Sequence, residues 1–287
     1  MAIFFRWILV VALLLPAGLS ATSLWEVRSD NHSMVIGATL HFLREQDFPL
    51  PASFDKAYQQ ADTLYLEADV EQTQSLEFMQ RLMASMLYTD GRTLRDDLSP
   101  ENWQRLVNYA RASEFPLEQL LMVRAALLTL SMTVHEFEQY GFVDGVDDHY
   151  YNRARQQGKP VGFLESVDVT LAFLETLNEL DANDQVAATL DSFKQLDELM
   201  ERGVTAWRQG DMDALYEAFE VDEMQRYYPD IYRVLIHERH QAWWPVLEGI
   251  LSRPGRSLVL VGALHVSGPD SLLMMLEEAG YQVRQLD

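Results

Sequence analysis

Two stretches of the chain lead into a histidine in similar ways. Met34-Val35-Ile36-Gly37-Ala38-Thr39-Leu40-His41 lies near one end, and Leu258-Val259-Leu260-Val261-Gly262-Ala263-Leu264-His265 near the other. Each is an apolar run of strand character that reaches a Gly and, after a short spacer, a His. In an open α/β sheet, ligands bind in the crevice beyond the carboxyl ends of the strands. A Gly there lets the backbone turn sharply or lets another group approach it closely. Imidazole is the commonest metal-binding side chain and serves as an acid or base near neutral pH. Glu67 occupies a matching exit in Leu64-Tyr65-Leu66-Glu67-Ala68-Asp69, and Glu165 directly follows Val161-Gly162-Phe163-Leu164. Two imidazoles and one or two carboxylates meeting in one crevice would form the two-His-plus-carboxylate set of hydrolytic zinc and other divalent sites. The plainer alternative is that the histidines are structural hydrogen-bonding residues and the glutamates are solvated strand ends.

The remaining histidines offer weaker groupings. His237-Glu238-Arg239-His240 resembles the zincin motif only superficially, because its histidines are three residues apart rather than four. An i, i+3 pair can still share a helix face. His135 with Glu138 reads as a surface pair on a helix, His149 beside Asp147 and Asp148 as a solvated loop residue, and His32 as an exposed turn residue. There is no Gly-rich phosphate loop and no G-x-S-x-G elbow, so nucleotide use and serine hydrolysis lack local support.

The elements that must position these groups follow from hydrophobic patterning. Residues 24–28 and 34–37 read as a hairpin around Asp30-Asn31. A loop is expected over 39–50, then a helix over 54–61 with Ser53 as N-cap, then a strand over 63–68. From 73 to about 151 the apolar spacing is helical, with methionines as core filler. The Gly141, Gly145 and Asp144–Asp148 cluster ends that block. A short strand follows at 159–164, more helix over 167–203 and 211–227, and a long helix over 231–251, bent or restarted near Pro245. Residues 257–262 form the clearest buried strand, followed by loop plus helix over 267–280 and a last strand over 281–286. The expected class is α/β, leaning to α+β. A mixed central sheet is built from both chain ends, with a large helical insert at about 73–155 and 167–251, within a single domain spanning 22–287.

Several local motifs in this order point to one family. Leu24-Trp25-Glu26-Val27 precedes the first histidine run, and Ala61-Asp62-Thr63-Leu64-Tyr65-Leu66-Glu67 follows it. Gly145-Val146-Asp147 and Lys159-Pro160-Val161-Gly162-Phe163-Leu164-Glu165 lie in the middle. Glu238-Arg239 comes before Trp243, and Gly262-Ala263-Leu264-His265-Val266-Ser267-Gly268 leads to Ala279-Gly280-Tyr281-Gln282-Val283. In these motifs the chain resembles the TraB/GumN-like family, whose relatives include the Tiki metalloproteases and, more distantly, erythromycin esterases and ChaN-like haem-binding proteins. The resemblance spans nearly all of 22–287. It implies a metal-dependent hydrolase with His41, Glu67 and His265 as site residues, joined by Glu165 and Arg239. Relatives often carry Arg-Asn where this chain has Arg239-His240, so any role of that Asn in orienting a ligand would pass to His240.

On this reading His41 and His265, with Glu67, bind a divalent ion such as Zn, Mn or Co. Glu67 and Glu165 divide the roles of ligand and general base, and Arg239 stabilises oxyanion charge. The substrate would be a peptide or another small molecule with an acyl bond. The competing class is a non-catalytic periplasmic binding protein for a small ligand, haem or a secreted peptide.

Composition narrows the partners. Lys and Arg number 22 against 44 Asp and Glu, a net charge of -22. Such a chain is repelled by phosphate backbones and anionic lipid surfaces, which argues against nucleic-acid binding. The absence of cysteine removes disulfides, thiolate metal ligands and cysteine nucleophiles. Residues 1–21 run from one Arg through a short apolar stretch to Pro16, Gly18 and Leu19-Ser20-Ala21, the order of an export signal. The expected location is periplasmic or secreted, with no membrane association after the signal is cleaved.

Overall fold

The computed structural model describes residues 21–29, 32–73 and 75–287. The stretch read as an export signal, apart from Ala21, and the expected turn at Asp30-Asn31 lie outside the described residues. Among the described residues no helix is long and apolar enough to cross a membrane.

The fold is α/β. β1 (Leu24–Arg28) and β2 (Ser33–Thr39) form the expected antiparallel hairpin, with Trp25 opposite Ile36. β7 (Arg256–Gly262) lies parallel to β2, pairing Ser33 with Arg256 through to Thr39 with Gly262. β4 (Thr63–Leu66) is parallel to β7, and β6 (Val161–Phe163) is parallel to β4. β8 (Gln282–Gln285) closes the other edge antiparallel to β1. The order is therefore β6-β4-β7-β2-β1-β8, a mixed sheet assembled from both chain ends. Four parallel strands leave their carboxyl ends on one rim.

The reason is legible in the side chains. A parallel strand buried on both faces reads as a continuous apolar run, and Leu258, Val259, Leu260 and Val261 of β7 are all buried. Helices pack on this sheet through Phe54, Tyr58, Tyr150, Trp207, Trp243 and Leu247. Gly37 lies inside β2, where a Cβ would stand 2.8 Å from Leu260 Cδ2 and 2.9 Å from Leu24 Cδ2. The helical insert has its own core around Leu94, Leu106, Leu128, Met132, Val186 and Phe193. Met34, Met86, Met132 and Met200 are buried, in keeping with methionine as core filler, whereas Met79 is exposed.

Local expectations fail at four places. Residues 39–50 contain β3 (Phe42–Arg44), which pairs with β5 (Phe142–Asp144) inside the stretch expected to be helical. Three-residue strands are too short to show alternation, and their pairing is non-local. The 54–61 helix begins earlier, as Ala52–Gln60 with Pro51 at its N-cap, so Ser53 lies inside the first turn. The acidic cluster opens a helix instead of ending a block: Val146–Gln157 starts after Gly145 and includes His149. Finally, Arg239–Leu251 runs through Pro245, and the irregular turn is a π-helical segment at Arg233–Glu238. Such π-turns cluster at functional sites.

Gly145 has a specific steric duty. A Cβ there would sit 2.1 Å from the Leu40 carbonyl oxygen and 2.4 Å from the His41 carbonyl carbon. The neighbouring Val146 N–H donates to that same Leu40 carbonyl at 3.0 Å. The exit of β2 is thus clamped on the start of the 146–157 helix by backbone, which cannot yield as a flexible side chain would. Gly145→Ala should destabilise the fold by about 3 kcal/mol, at the upper end of ordinary overpacking, measured by urea denaturation.

Candidate active site

The five residues singled out from the sequence surround one crevice at the carboxyl rim of the parallel strands. His41 lies two residues beyond β2, Glu67 directly after β4 and Glu165 two residues beyond β6. His265 sits on the short 3-10 turn Ala263–Val266 that follows β7. Arg239 enters from the first residue of the Arg239–Leu251 helix, directly after the π-turn. The two glycines of the histidine runs are not spatial counterparts. Three residues separate Gly37 from His41 and two separate Gly262 from His265, and the register pairs Gly262 with Thr39.

Arg239 is the hub. Its Nε and Nη2 donate to Glu165 Oε2 and Oε1 at 2.8 and 3.0 Å, a bidentate pair. Nη2 also donates to Glu67 Oε2 at 2.7 Å, and Nη1 lies 3.1 Å from His265 Nε2. The guanidinium stands 4.8 Å from the centre of the Trp243 ring.

The two glutamates differ in what they have left to offer. Glu165 also accepts from Trp243 Nε1 at 2.7 Å and from Thr170 Oγ1 at 3.1 Å. With the two Arg239 bonds, the roughly four acceptor sites of its carboxylate are filled. Glu67 accepts from Arg239 and from the Gly262 N–H, the latter at 2.5 Å, so about half its capacity remains. Burial alone would raise the Glu67 carboxyl, but Arg239, reinforced by the two histidines and the Gly262 amide, holds it well below the usual carboxylate range.

The imidazoles are each held from the Nδ1 side. His41 Nδ1 is 3.0 Å from Asp147 Oδ2, and that carboxylate pushes the His41 pKa up to about 9. His265 Nε2 accepts from Arg239, so its proton lies on Nδ1, which faces His240 Nε2 at 3.1 Å. His240 is therefore the residue that orients His265. A Cβ at Gly262 would stand 3.1 Å from His41 Nε2 and 3.3 Å from Glu67 Oε1, and His265 Nε2 is 3.7 Å from that same oxygen. Gly262 thus keeps open the space that both imidazoles and Glu67 face.

These donors suit a divalent cation in chemical type, and Asp147 and His240 supply the Nδ1 partners that ligand histidines require. Among the described residues, however, no three His, Asp or Glu side chains are gathered into a ready-made metal-ligand group. The His265 Nε2 lone pair is turned to Arg239, so a cation bound there would replace that contact.

Burial keeps His240 and His265 neutral. Desolvation lowers His240 to about 4 and His265 well below its ordinary value. Groups depressed in the folded state contribute stability that is complete above about pH 6.5 and is lost as pH falls toward the folded value. The His240 share of that loss should reach about 3 kcal/mol near pH 4. Urea denaturation at pH 7.5 and 4.5 checks this: His240→Asn, which retains an acceptor for His265, should lose less stability on acidification than the parent.

Beside His41, Arg239 and His265 lies a cavity of about 310 Å³, and a second of about 160 Å³ is bordered by His41, Glu67 and Asp147. Thr39 borders both. It is 1% exposed, and its Oγ1 has no hydrogen-bond partner among the described residues. A larger cavity, about 1000 Å³, lies at the opposite rim, where the parallel strands begin. There Arg28 pairs with Glu26, and the Arg256 backbone N–H donates to Asp62.

The other histidines stay out of the crevice. His135 Nε2 hydrogen-bonds the Ser113 carbonyl at 2.8 Å, so it ties two helices together rather than forming a surface pair with Glu138. His237 faces Asp270 at 3.7 Å, so only His240 of that i, i+3 pair reaches the site. Sequence reasoning did not assign Asp147, Trp243, Thr170 or Thr39 a role. For Asp147 the signal was available in Gly145-Val146-Asp147, which places a carboxylate two residues beyond a glycine that admits close backbone approach.

The model of the TraB/PrgY/gumN family matches residues 23–285. Two relatives, each described as "Uncharacterized protein YbaP", come from Shigella flexneri and Escherichia coli (strain K12). Both are 28% identical over 259 residues, which covers 86% of this chain and 88% of theirs. No solved structure matches the chain.

Proposed function

The chain belongs to the TraB/PrgY/gumN family, and from that premise we propose that it is an exported hydrolase of peptide or other acyl bonds, acting with a divalent metal ion at the strand-exit crevice. The observation that supports this reading is the convergence of His41, Glu67 and His265 on the space above Gly262, with a guanidinium at its edge. His41, His265 and Glu67 would hold Zn, Mn or Co, an ion that lowers the pKa of water and polarises a carbonyl.

The residues divide the remaining work by their capacity. Glu67 has unfilled acceptor sites and, held ionised well below the usual carboxylate range, is the carboxylate able to grip the ion. Glu165 is saturated, so it is a positioning residue that locks the Arg239 fork. Arg239 lies where negative charge on a tetrahedral oxygen would be stabilised. Asp147 fixes the His41 ring with Nε2 facing the crevice. The charge–apolar–small order of residues 1–21 supports export to the periplasm or beyond.

The test is elemental analysis of purified 22–287 and of the His41→Ala/His265→Ala double variant. The reading expects a divalent metal in the first and none in the second; equal content would refute the ligand assignment. The apolar walls of the 310 Å³ cavity favour binding without chemistry as the second reading. Its signature would be stoichiometric uptake of a small ligand, haem (seen as a Soret band) or a peptide, without turnover.

A further inference from the structure

We propose that the 310 Å³ cavity receives one large apolar side chain, of the leucine or phenylalanine class, from a peptide lying across the crevice beside the bond to be cleaved. This deepens the hydrolase reading above and rests on it. The walls are Phe42, Phe137, Met200, Phe219, Leu235 and Leu264, and the polar end is formed by His41, Arg239 and His265. Phe42 comes from β3, Phe137, Met200, Phe219 and Leu235 from the helical insert, and Leu264 stands beside His265.

Size and charge both constrain the occupant. An apolar cavity of about 150 Å³ suffices for benzene, so about twice that volume admits a ring or branched chain with its connecting atoms. Both cations at the polar end are already paired, Arg239 with Glu67 and Glu165 and His41, through Nδ1, with Asp147. An acidic side chain would have to compete with those carboxylates, and a basic one would meet two like charges. The second cavity, about 160 Å³, also borders His41. Thr39 borders both, and its buried, unpartnered hydroxyl is placed to hydrogen-bond the main chain of a peptide crossing from one to the other. A segment bound this way sets a large apolar residue in the first cavity and a smaller residue in the second.

Two readouts separate this inference from the reading beneath it. The first is kcat/KM on matched quenched peptides that vary one position among Leu, Phe, Ala, Asp and Lys. Leu and Phe should exceed Ala by about 10-fold or more, the discrimination expected of an apolar pocket. The second needs no turnover: binding of N-acetyl-phenylalanine amide and N-acetyl-alanine amide to the unmodified 22–287 chain, followed by NMR. The aromatic amide should bind tighter by a similar factor. Leu235→Trp and, separately, Phe137→Trp should each fill the cavity and abolish the difference, and near-UV dichroism identifies which variant is folded. If no peptide is cleaved but the aromatic amide binds selectively, the pocket stands and the hydrolase reading falls. If the two amides bind alike, the pocket inference is overturned whatever the peptides do.

Discussion

Replacing Arg239 with Met should destabilise the protein by about 3–5 kcal/mol, the cost of leaving buried charge without its partner. Glu67 and Glu165 both depend on this guanidinium, and the Glu165 side chain is 1% exposed. Removing the cation strands two carboxylates in a crevice from which water is largely excluded, and it removes the contact with the Trp243 ring. Arg239→Lys keeps the charge but cannot reproduce a bidentate bond to Glu165 while reaching Glu67 and His265, so it should recover only part of the loss. Arg239→Met combined with Glu165→Gln should be more stable than Arg239→Met alone, because one of the stranded charges is gone. Urea denaturation of the four proteins at pH 7.5 measures this order. A loss below about 1 kcal/mol for Arg239→Met would mean that the pairing is worth no more than an exposed salt bridge.

His41→Ala should have the opposite profile, with a small effect on folding and a large one on chemistry. The His41 side chain is 52% exposed and packs in no core, so its loss should change stability by less than about 1 kcal/mol. Its Nε2 faces the space bordered by Glu67, and on the proposed mechanism kcat/KM should fall by about 10³-fold or more. Asp147→Asn keeps the His41 ring but weakens the partner that fixes its tautomer, and should cost about 10–100-fold. Steady-state kinetics alongside denaturation of the same preparations separates the two effects. If His41→Ala lost activity only in proportion to folded protein, His41 would be a structural residue.

The contrast between these variants mirrors what the sequence reveals and what it hides. The strand exits were readable because a strand buried on both faces must be apolar throughout, as Leu258–Val261 is, and because the polar residue that follows such a run emerges at the sheet rim. His265 follows from that rule, while His41, Glu67 and Glu165 were readable as polar residues closing shorter, partly buried strand runs. The division of labour between the glutamates was not readable. It depends on Thr170 from one helix and Arg239 and Trp243 from another filling one carboxylate and leaving the other open. The Asp147 contact joins residues 106 apart through a two-strand ribbon and a helix start. Neither three-residue strand is long enough to register as alternation, so the clamp at Gly145 had no visible partner. Pro245 attracted the expected kink because proline removes a backbone donor, yet the irregular turn lies at 233–238, directly before Arg239.

On the proposed function this crevice breaks acyl bonds, and Glu67 is its essential carboxylate. Glu67→Gln retains size and much of the hydrogen bonding while removing the anionic ligand. The most direct measurement is cleavage of a peptide library by the 22–287 chain, with and without chelator, beside Glu67→Gln at equal folded concentration. The account predicts cleavage by the parent that chelator suppresses and that the variant lacks. No cleavage by the parent, or equal cleavage by parent and variant, would contradict it.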